Sequence, residues 1–214
     1  MALSKVNFNS LNLTPTASKT VVFNSNNNGI EAGDVGGSMV LISEQTASSS
    51  STISFTSGID STYKEYIFKF INIHPATDNA YLTFQADTGT NTNYNQTITS
   101  TVFRARHYED DSATSLAYIT DRDQAQGTAF QDISLNTGND NDQCNSGTLH
   151  IFDPSNTTFV KHFIQTANGV AGDNQSVNTF VAGYINTTTA ITRVQFKMSS
   201  GNIDSGTIKM YGVT

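Results

Sequence analysis

The densest charged stretch of the chain is Arg104-Ala105-Arg106-His107-Tyr108-Glu109-Asp110-Asp111. His107 and Glu109 are candidates for an acid–base pair or part of a metal site, because residues two apart on a strand share a face. They share it only while the strand continues, and Glu109-Asp110-Asp111 reads as its solvated end. No second histidine lies at a ligand spacing, so a strand running into an acidic turn is the favoured reading. Asn139-Asp140-Asn141-Asp142 offers oxygens that suit calcium, but no Gly follows at the turn position and no Glu closes the loop. It and Asp121-Arg122-Asp123 read as solvated loops. His150 and His162 fall in a hairpin-like pair, facing each other across it, and Lys161-His162 could contact a ligand; a structural role is the commoner one for a strand histidine. No Gly-x-Ser-x-Gly elbow supports nucleophilic hydrolysis. A carboxylate pair for glycoside cleavage is not testable by spacing, since its members can lie far apart along the chain. Tyr94 and Tyr108 in polar loops could stack on sugar rings, although the absence of Trp weakens a lectin reading. The ligand-binding candidates are therefore Tyr94, His107, Tyr108 and Asp110. No catalytic residue, metal ligand or cofactor is assigned.

The elements that must position these residues are organised around Tyr63 to Ile73, the longest dense apolar and aromatic run. Tyr66, Phe68 and Phe70 would share one face, and Ile67, Ile71 and Ile73 the other. Such a strand is expected to be covered on both sides. Its β-branched and aromatic content, bracketed by turn-formers, favours strand over helix. Further strands are expected at Met39 to Ile42, Thr52 to Phe55, Tyr81 to Ala86, Ile98 to His107, Thr114 to Thr120, Thr148 to Phe152, Thr158 to Ile164, Thr179 to Ile185, Ala190 to Met198 and Thr207 to Val213. Asp121 to Ser146 reads as a long loop with one short strand at Ala129 to Leu135. Asp153-Pro154-Ser155-Asn156 has turn chemistry. No segment shows a convincing helical period. The pattern predicts an all-β, two-sheet antiparallel sandwich over residues 38–214, jelly-roll-like, with an N-terminal extension. In residues 1–37, Val6, Phe8, Leu11 and Leu13 give weak apolar patches, Val21-Val22-Phe23 a short strand, and Gly33, Gly36 and Gly37 a joint. This extension reads as a docking arm or as edge strands. The loops Asp87 to Asn95, His107 to Ala113 and Thr137 to Ser146 are expected at one end of the sandwich.

Composition narrows the function classes. Apolar residues make up 36% and charged residues 14% of the 214, both below the usual ~45–50% and ~25%. Ser, Thr, Asn and Gly fill the deficit, and 13 Phe with 8 Tyr supply a core. The 11 basic residues against 18 acidic ones, a net charge of −7, argue against binding nucleic-acid phosphates or anionic membranes. The single cysteine, Cys144, excludes an intrachain disulfide and a cysteine-rich zinc site, and reads as a solvated loop thiol. Met-Ala-Leu-Ser-Lys has no apolar core for a signal peptide, and no apolar run approaches the ~20 residues of a membrane helix. A protein made and kept in a cytoplasm, or assembled there into something that leaves by lysis, is expected.

Three stretches resemble a known family: Gly147 to Phe163 (GTLHIFDPSNTTFVKHF), Phe180 to Thr188 (FVAGYINTT) and Gln195 to Val213 (QFKMSSGNIDSGTIKMYGV). Tyr63 to Asp78 is also similar. The runs are similar to those of virion-associated proteins of marine tailed bacteriophages, cyanophages included, and together cover about a third of residues 38–214. The resemblance implies a β-sandwich on the outside of a phage particle and hands over no catalytic residues. Its implied partners are other virion proteins, held through residues 1–37, and further copies of the chain, a trimer favoured; host glycan is a candidate ligand. The implied role is a non-enzymatic tail-fibre, tail-tip or capsid-decoration (head-fibre) protein, assembled in the host cytoplasm. The alternatives are a polysaccharide depolymerase using two of Glu109, Asp110, Asp111 and Asp123, and a carbohydrate-binding module.

Overall fold

In the computed structural model, the structure describes residues 19–23, 30–34 and 39–214. The apolar patches at Val6 to Leu13 and the joint residues Gly36 and Gly37 lie outside them. The chain divides into two compact units, Met1–Ser38 and Met39–Thr214. In the first, β1 (Lys19–Phe23) pairs antiparallel with β2 (Ile30–Asp34), Val21 opposite Ala32.

The second unit contains β3 (Met39–Thr46), β4 (Ile53–Phe55), β5 (Glu65–Pro75), β6 (Leu82–Thr88), β7 (Ile98–Tyr108) and β8 (Thr114–Tyr118). It continues with β9 (Gln131–Asp132), β10 (Asn145–Phe152), β11 (Lys161–Ala171), β12 (Gln175–Ile185), β13 (Ile191–Met198) and β14 (Ile203–Val213). Every pairing is antiparallel. Eight strands form one sheet in the order β3-β14-β5-β10-β11-β12-β7-β8, and four form the other in the order β4-β13-β6-β9. This is the two-sheet sandwich that the strand spacing predicts; an eight-to-four division does not by itself establish the jelly-roll subtype.

The sheets close on aromatic rings. Tyr66, Phe68 and Phe70 of β5 point inward and are buried. Phe196 of β13 meets Phe68 and Phe70, each at 5.3 Å between ring centroids, and Phe55 of β4 at 6.2 Å. Phe55 meets Phe68 edge-on at 5.3 Å, and Phe84 of β6 meets Phe163 of β11 at 5.0 Å.

Two expectations for the central run are corrected. Asn72 takes the left-handed conformation (φ 51°), which Asn tolerates better than most residues, and one extra residue bulges out of β5. Asn145 and Gly147 of β10 oppose Ile73 and Phe70, so that the single residue Ser146 faces two, Ile71 and Asn72. The bulge resets the alternation, so Ile73 joins the inner face, not the outer one with Ile67 and Ile71. Nor is the strand covered on both sides along its length: on the outer face Ile67 is buried but Ile71 is 40% exposed. Gly206 of β14 packs against this bulge. Its φ is +115°, and a Cβ there would lie 2.5 Å from the Asn72 carbonyl oxygen, so the position needs glycine twice over.

The stretch expected as a loop, Asp121 to Ser146, is a strap with its own buried residues. Ile133 and Leu135 lie in the core. The Ile133 amide bonds Leu82 and the Thr137 amide bonds Ala80, extending the short β9 contact past its two strand residues. The β11–β12 hairpin is also longer than expected, eleven residues a side around Gly172-Asp173-Asn174, with Asn174 at φ 56°.

Phe196→Ala should lower unfolding stability by about 3–5 kcal/mol, the cost of emptying a buried aromatic site. A denaturant titration checks this, and an unchanged midpoint would show that this ring contributes nothing to holding the sheets together.

Candidate functional site

The two ends of the sandwich carry different surfaces. Strand β7 fixes which loops share an end, because it enters near Thr97 and leaves at Tyr108. The loop 137–146 and the 172–174 turn lie at its exit: the Glu109 amide donates to the Asn174 carbonyl at 3.0 Å, and the Gly138 amide to that of Val170 at 3.0 Å. The loop 87–95 lies at its entry, where Thr192 Oγ1 and Arg193 Nε donate to the Gly89 carbonyl. The three loops expected together are therefore split between ends, since antiparallel pairing sends consecutive connections to opposite ends.

His107, Tyr108 and Asp110 gather at the exit end. Tyr108, Glu109, Asp110, Asp173 and Asn174 line a hollow of about 390 Å³. The Tyr108 hydroxyl donates to Asp173 at 3.4 Å. His107 does not pair with Glu109; its Nε2 lies 2.9 Å from Asp111 Oδ1 on an exposed surface. Hydrogen bonds from the Ser112 hydroxyl and amide hold the Asp110 carboxyl below the usual range, the wrong direction for a general acid. Asp123 accepts from the Tyr118 hydroxyl at 2.5 Å. Tyr118 pairs with Phe103, five strand residues or roughly 17 Å from Tyr108, so Asp123 does not converge with Glu109 to Asp111. Tyr94 is at the other end and is 6% exposed, its amide donating to Asp87 Oδ2 at 2.9 Å. A free stacking ring there is ruled out: the Asp87 carboxylate draws the loop inward. Around Asn139 to Asp142 the Gln143 amide closes a turn on the Asp140 carbonyl. No group of three or more His, Cys, Asp or Glu able to hold a metal occurs among the described residues.

The better-built cleft is at the entry end. It measures about 480 Å³ and is lined by Phe152, Asp153, Asn156, Thr158, Phe159, Val160, His162 and Thr188. Its floor is set by the turn chemistry of Asp153 to Asn156. Asp153 sits at φ 42°, and the Asn156 amide closes the turn on the Asp153 carbonyl at 3.0 Å. Asn156 Oδ1 then accepts from the Thr158 and Phe159 amides at 2.7 and 2.8 Å, while its Nδ2 donates to Asp153 Oδ2 at 2.9 Å. Lys64 Nζ holds Asp153 Oδ1 at 3.0 Å. This lattice of short bonds holds the Phe159 side chain out, 68% exposed.

Behind it Lys161 is 0% exposed, the first inward residue of β11. Its Nζ donates to the carbonyls of Phe159 at 2.9 Å and Thr187 at 3.0 Å, tying the loop 153–160 to the loop 186–190. Burial pushes its pKa down, with Asp153 opposing. Of the Lys161-His162 pair, the lysine is thus used internally and the histidine faces the cleft. His150 does not face His162 directly: it opposes Ile164, and its Nδ1 lies 2.6 Å from Glu65 Oε1. The cleft itself was missed because Thr158 to Ile164 reads as continuous strand, whereas β11 begins at Lys161.

Two other groups differ from expectation. Cys144 is half-buried and not a solvated thiol, and burial raises its pKa, away from reactivity. Asp132, unremarked in the sequence, is the strongly perturbed carboxyl. Burial raises its pKa to about 6, against the opposing pull of Arg122, whose Nη1 lies 3.5 Å from Oδ2.

Comparison of the chain with protein-family models, curated proteins and solved structures returns no match. The class that the fold defines is the two-sheet antiparallel β-sandwich.

Asp132 generates a pH prediction. Its folded pKa exceeds the ordinary 3.8, so the stability it contributes is present below 3.8 and is lost as pH rises through about 6. Asp132→Asn, which does not titrate, should therefore gain about 2 kcal/mol on wild type between about pH 4 and pH 7. Urea unfolding at the two pH values checks this; a constant difference would show the carboxyl to be unperturbed.

Proposed function

We propose that this chain is a non-enzymatic structural protein of a phage virion surface, a tail-fibre or tail-tip component or a capsid decoration protein. In this reading it binds a host-surface glycan through a loop end of its sandwich. The observation that carries the binding role is the cleft beside Phe159: a ligand-sized hollow, pre-shaped by the Asn156 turn and locked from behind by Lys161. The placement on a particle rests on the resemblance of residues 147–163, 180–188 and 195–213 to phage virion proteins. Residues 1–37 serve as the arm that holds the protein to its virion partners.

Self-association, as a trimer, belongs to the same proposal. On the outer face Phe103 stacks on Phe180 at 4.8 Å, and Phe103, Tyr118, Leu116 and Ile164 are all exposed. The register places Phe180, Phe103 and Tyr118 in one row across β12, β7 and β8. Strand β8, TSLAY, ends the sheet with neither a charge nor a proline, the usual devices that keep another strand off an edge. Further copies of the chain supply a like apolar face to cover this one.

Immunogold labelling of purified particles should place the protein on the virion, and a chain lacking residues 1–37 should fold but be missing from particles. Absence of label from intact particles would overturn the reading, and truncated protein retained on particles would overturn the arm. Light scattering should give a trimer mass for the full chain and a monomer mass for Phe103→Glu. A monomeric wild type would remove self-association from the proposal.

A further inference from the structure

We infer that the Phe152–His162 cleft is the saccharide site, and that it takes a neutral pyranose and not an acidic one. The inference rests on the binding role proposed above and moves the contact away from Tyr108 and Asp110 at the opposite end.

The chemistry of the lining selects the class. Phe152, Phe159 and Val160 give an apolar wall, and the Phe159 ring stands out into solvent. A pyranose carries an apolar C–H face that lies on such a ring, with hydroxyls around its edge. Beside the wall stand groups matched to hydroxyls. Each Asp153 carboxylate oxygen accepts one bond, from Lys64 or from Asn156, and a carboxylate has about four acceptor sites. It therefore keeps capacity for two neighbouring hydroxyls. The His162 ring nitrogens and the Thr158 and Thr188 hydroxyls make no hydrogen bond among the described residues, and each can donate or accept. An apolar ligand would bury these groups unpaired, at a cost that sugar hydroxyls remove.

Charge decides between sugars. Asp153 is the charged side chain of the lining; Lys64 ion-pairs it at 3.0 Å, and Lys161 directs its ammonium into the two loop carbonyls behind. Both ammonium groups are thus already engaged, on a chain of net charge −7. An acidic sugar, whether uronic, sialic, sulfated or phosphorylated, meets the Asp153 carboxylate with neither ammonium free to pair with it, whereas neutral hexoses and N-acetylhexosamines need none. The loops are already hydrogen-bonded, so binding orders little new chain.

The test is an amide ¹H–¹⁵N titration of the full chain with the methyl pyranosides of glucose, galactose, mannose and N-acetylglucosamine, and with methyl glucuronoside as the acidic control. At least one neutral glycoside should give saturable shifts at Phe159, Val160 and Thr188, with the glucuronoside weaker by about tenfold or more. Phe159→Ala, which removes an exposed ring, should weaken binding by about tenfold and leave the rest of the spectrum in place. Thr188→Val should weaken it less, with the fold equally intact. Three results would overturn the inference: no cleft shifts with any neutral glycoside at about 50 mM, equal binding of the glucuronoside, or Phe159→Ala binding like wild type. Particle location is read by microscopy and does not enter this titration, so either result can fail while the other stands.

Discussion

The fold depends on one aromatic seam. Phe196 touches Phe55, Phe68 and Phe70, and through them β13, β4 and β5 are tied across the two sheets. Edge-on and tilted rings at 5.3–6.2 Å bridge an interlayer gap of about 10 Å, and each such pair adds about 0.5–1.5 kcal/mol beyond area burial. The chain has little else to spend on its core, with apolar residues at 36%. Concentrating aromatic side chains on the inner faces of β4, β5 and β13 is how so polar a sequence closes a sandwich.

The seam covers less than the larger sheet offers. Four strands cannot shield eight, and the remainder is covered by the 121–146 strap, whose Ile133 and Leu135 complete the core. A strap has unpaired backbone, and this one satisfies it partly with buried amides. Gln85 Nε2 donates to carbonyls of Gln96 and Ala129, and Gln131 Nε2 to that of Arg122, while Ser100 Oγ donates to Gln131 Oε1. These inward glutamines replace the apolar residues a second full-width sheet would carry. Asp132 follows Gln131 in β9, and its own burial is what raises its pKa.

Strand content and the two-sheet architecture were legible because alternation survives in single sequences: β11 runs buried and open in turn over eleven residues. What was illegible had a local cause each time. The Asn72 bulge moves Ile73 across the sheet, and one left-handed Asn leaves no periodic trace. The Gly- and Asn-rich tips of β11 and β12 have weak strand propensity and are ordered by their long mutual ladder. Tyr94 sits in a stretch as polar as an exposed loop, yet a single carboxylate, Asp87, pulls it inside. Of the site candidates, His107, Tyr108 and Asp110 were placed together by a turn that sequence marks plainly, and the cleft at the other end was not marked at all.

That asymmetry follows from where the charge goes. Sequence reading assigns function to visible clusters of charge, but Glu109, Asp110 and Asp111 are solvated, and solvated carboxylates cost nothing to keep and organise little. Lys161 is a lone cation in an apolar strand start, and it is fully withdrawn from water. A buried ammonium is tolerated only where hydrogen bonds replace its hydration, and here two loop carbonyls do so. Those bonds fix both loops relative to the sheet and leave the cleft between them pre-shaped. The residue that builds the site therefore does not line it. Replacing it by an apolar residue of similar length would keep the strand and release the loops, which separates shape from contact in a way that changing Phe159 does not.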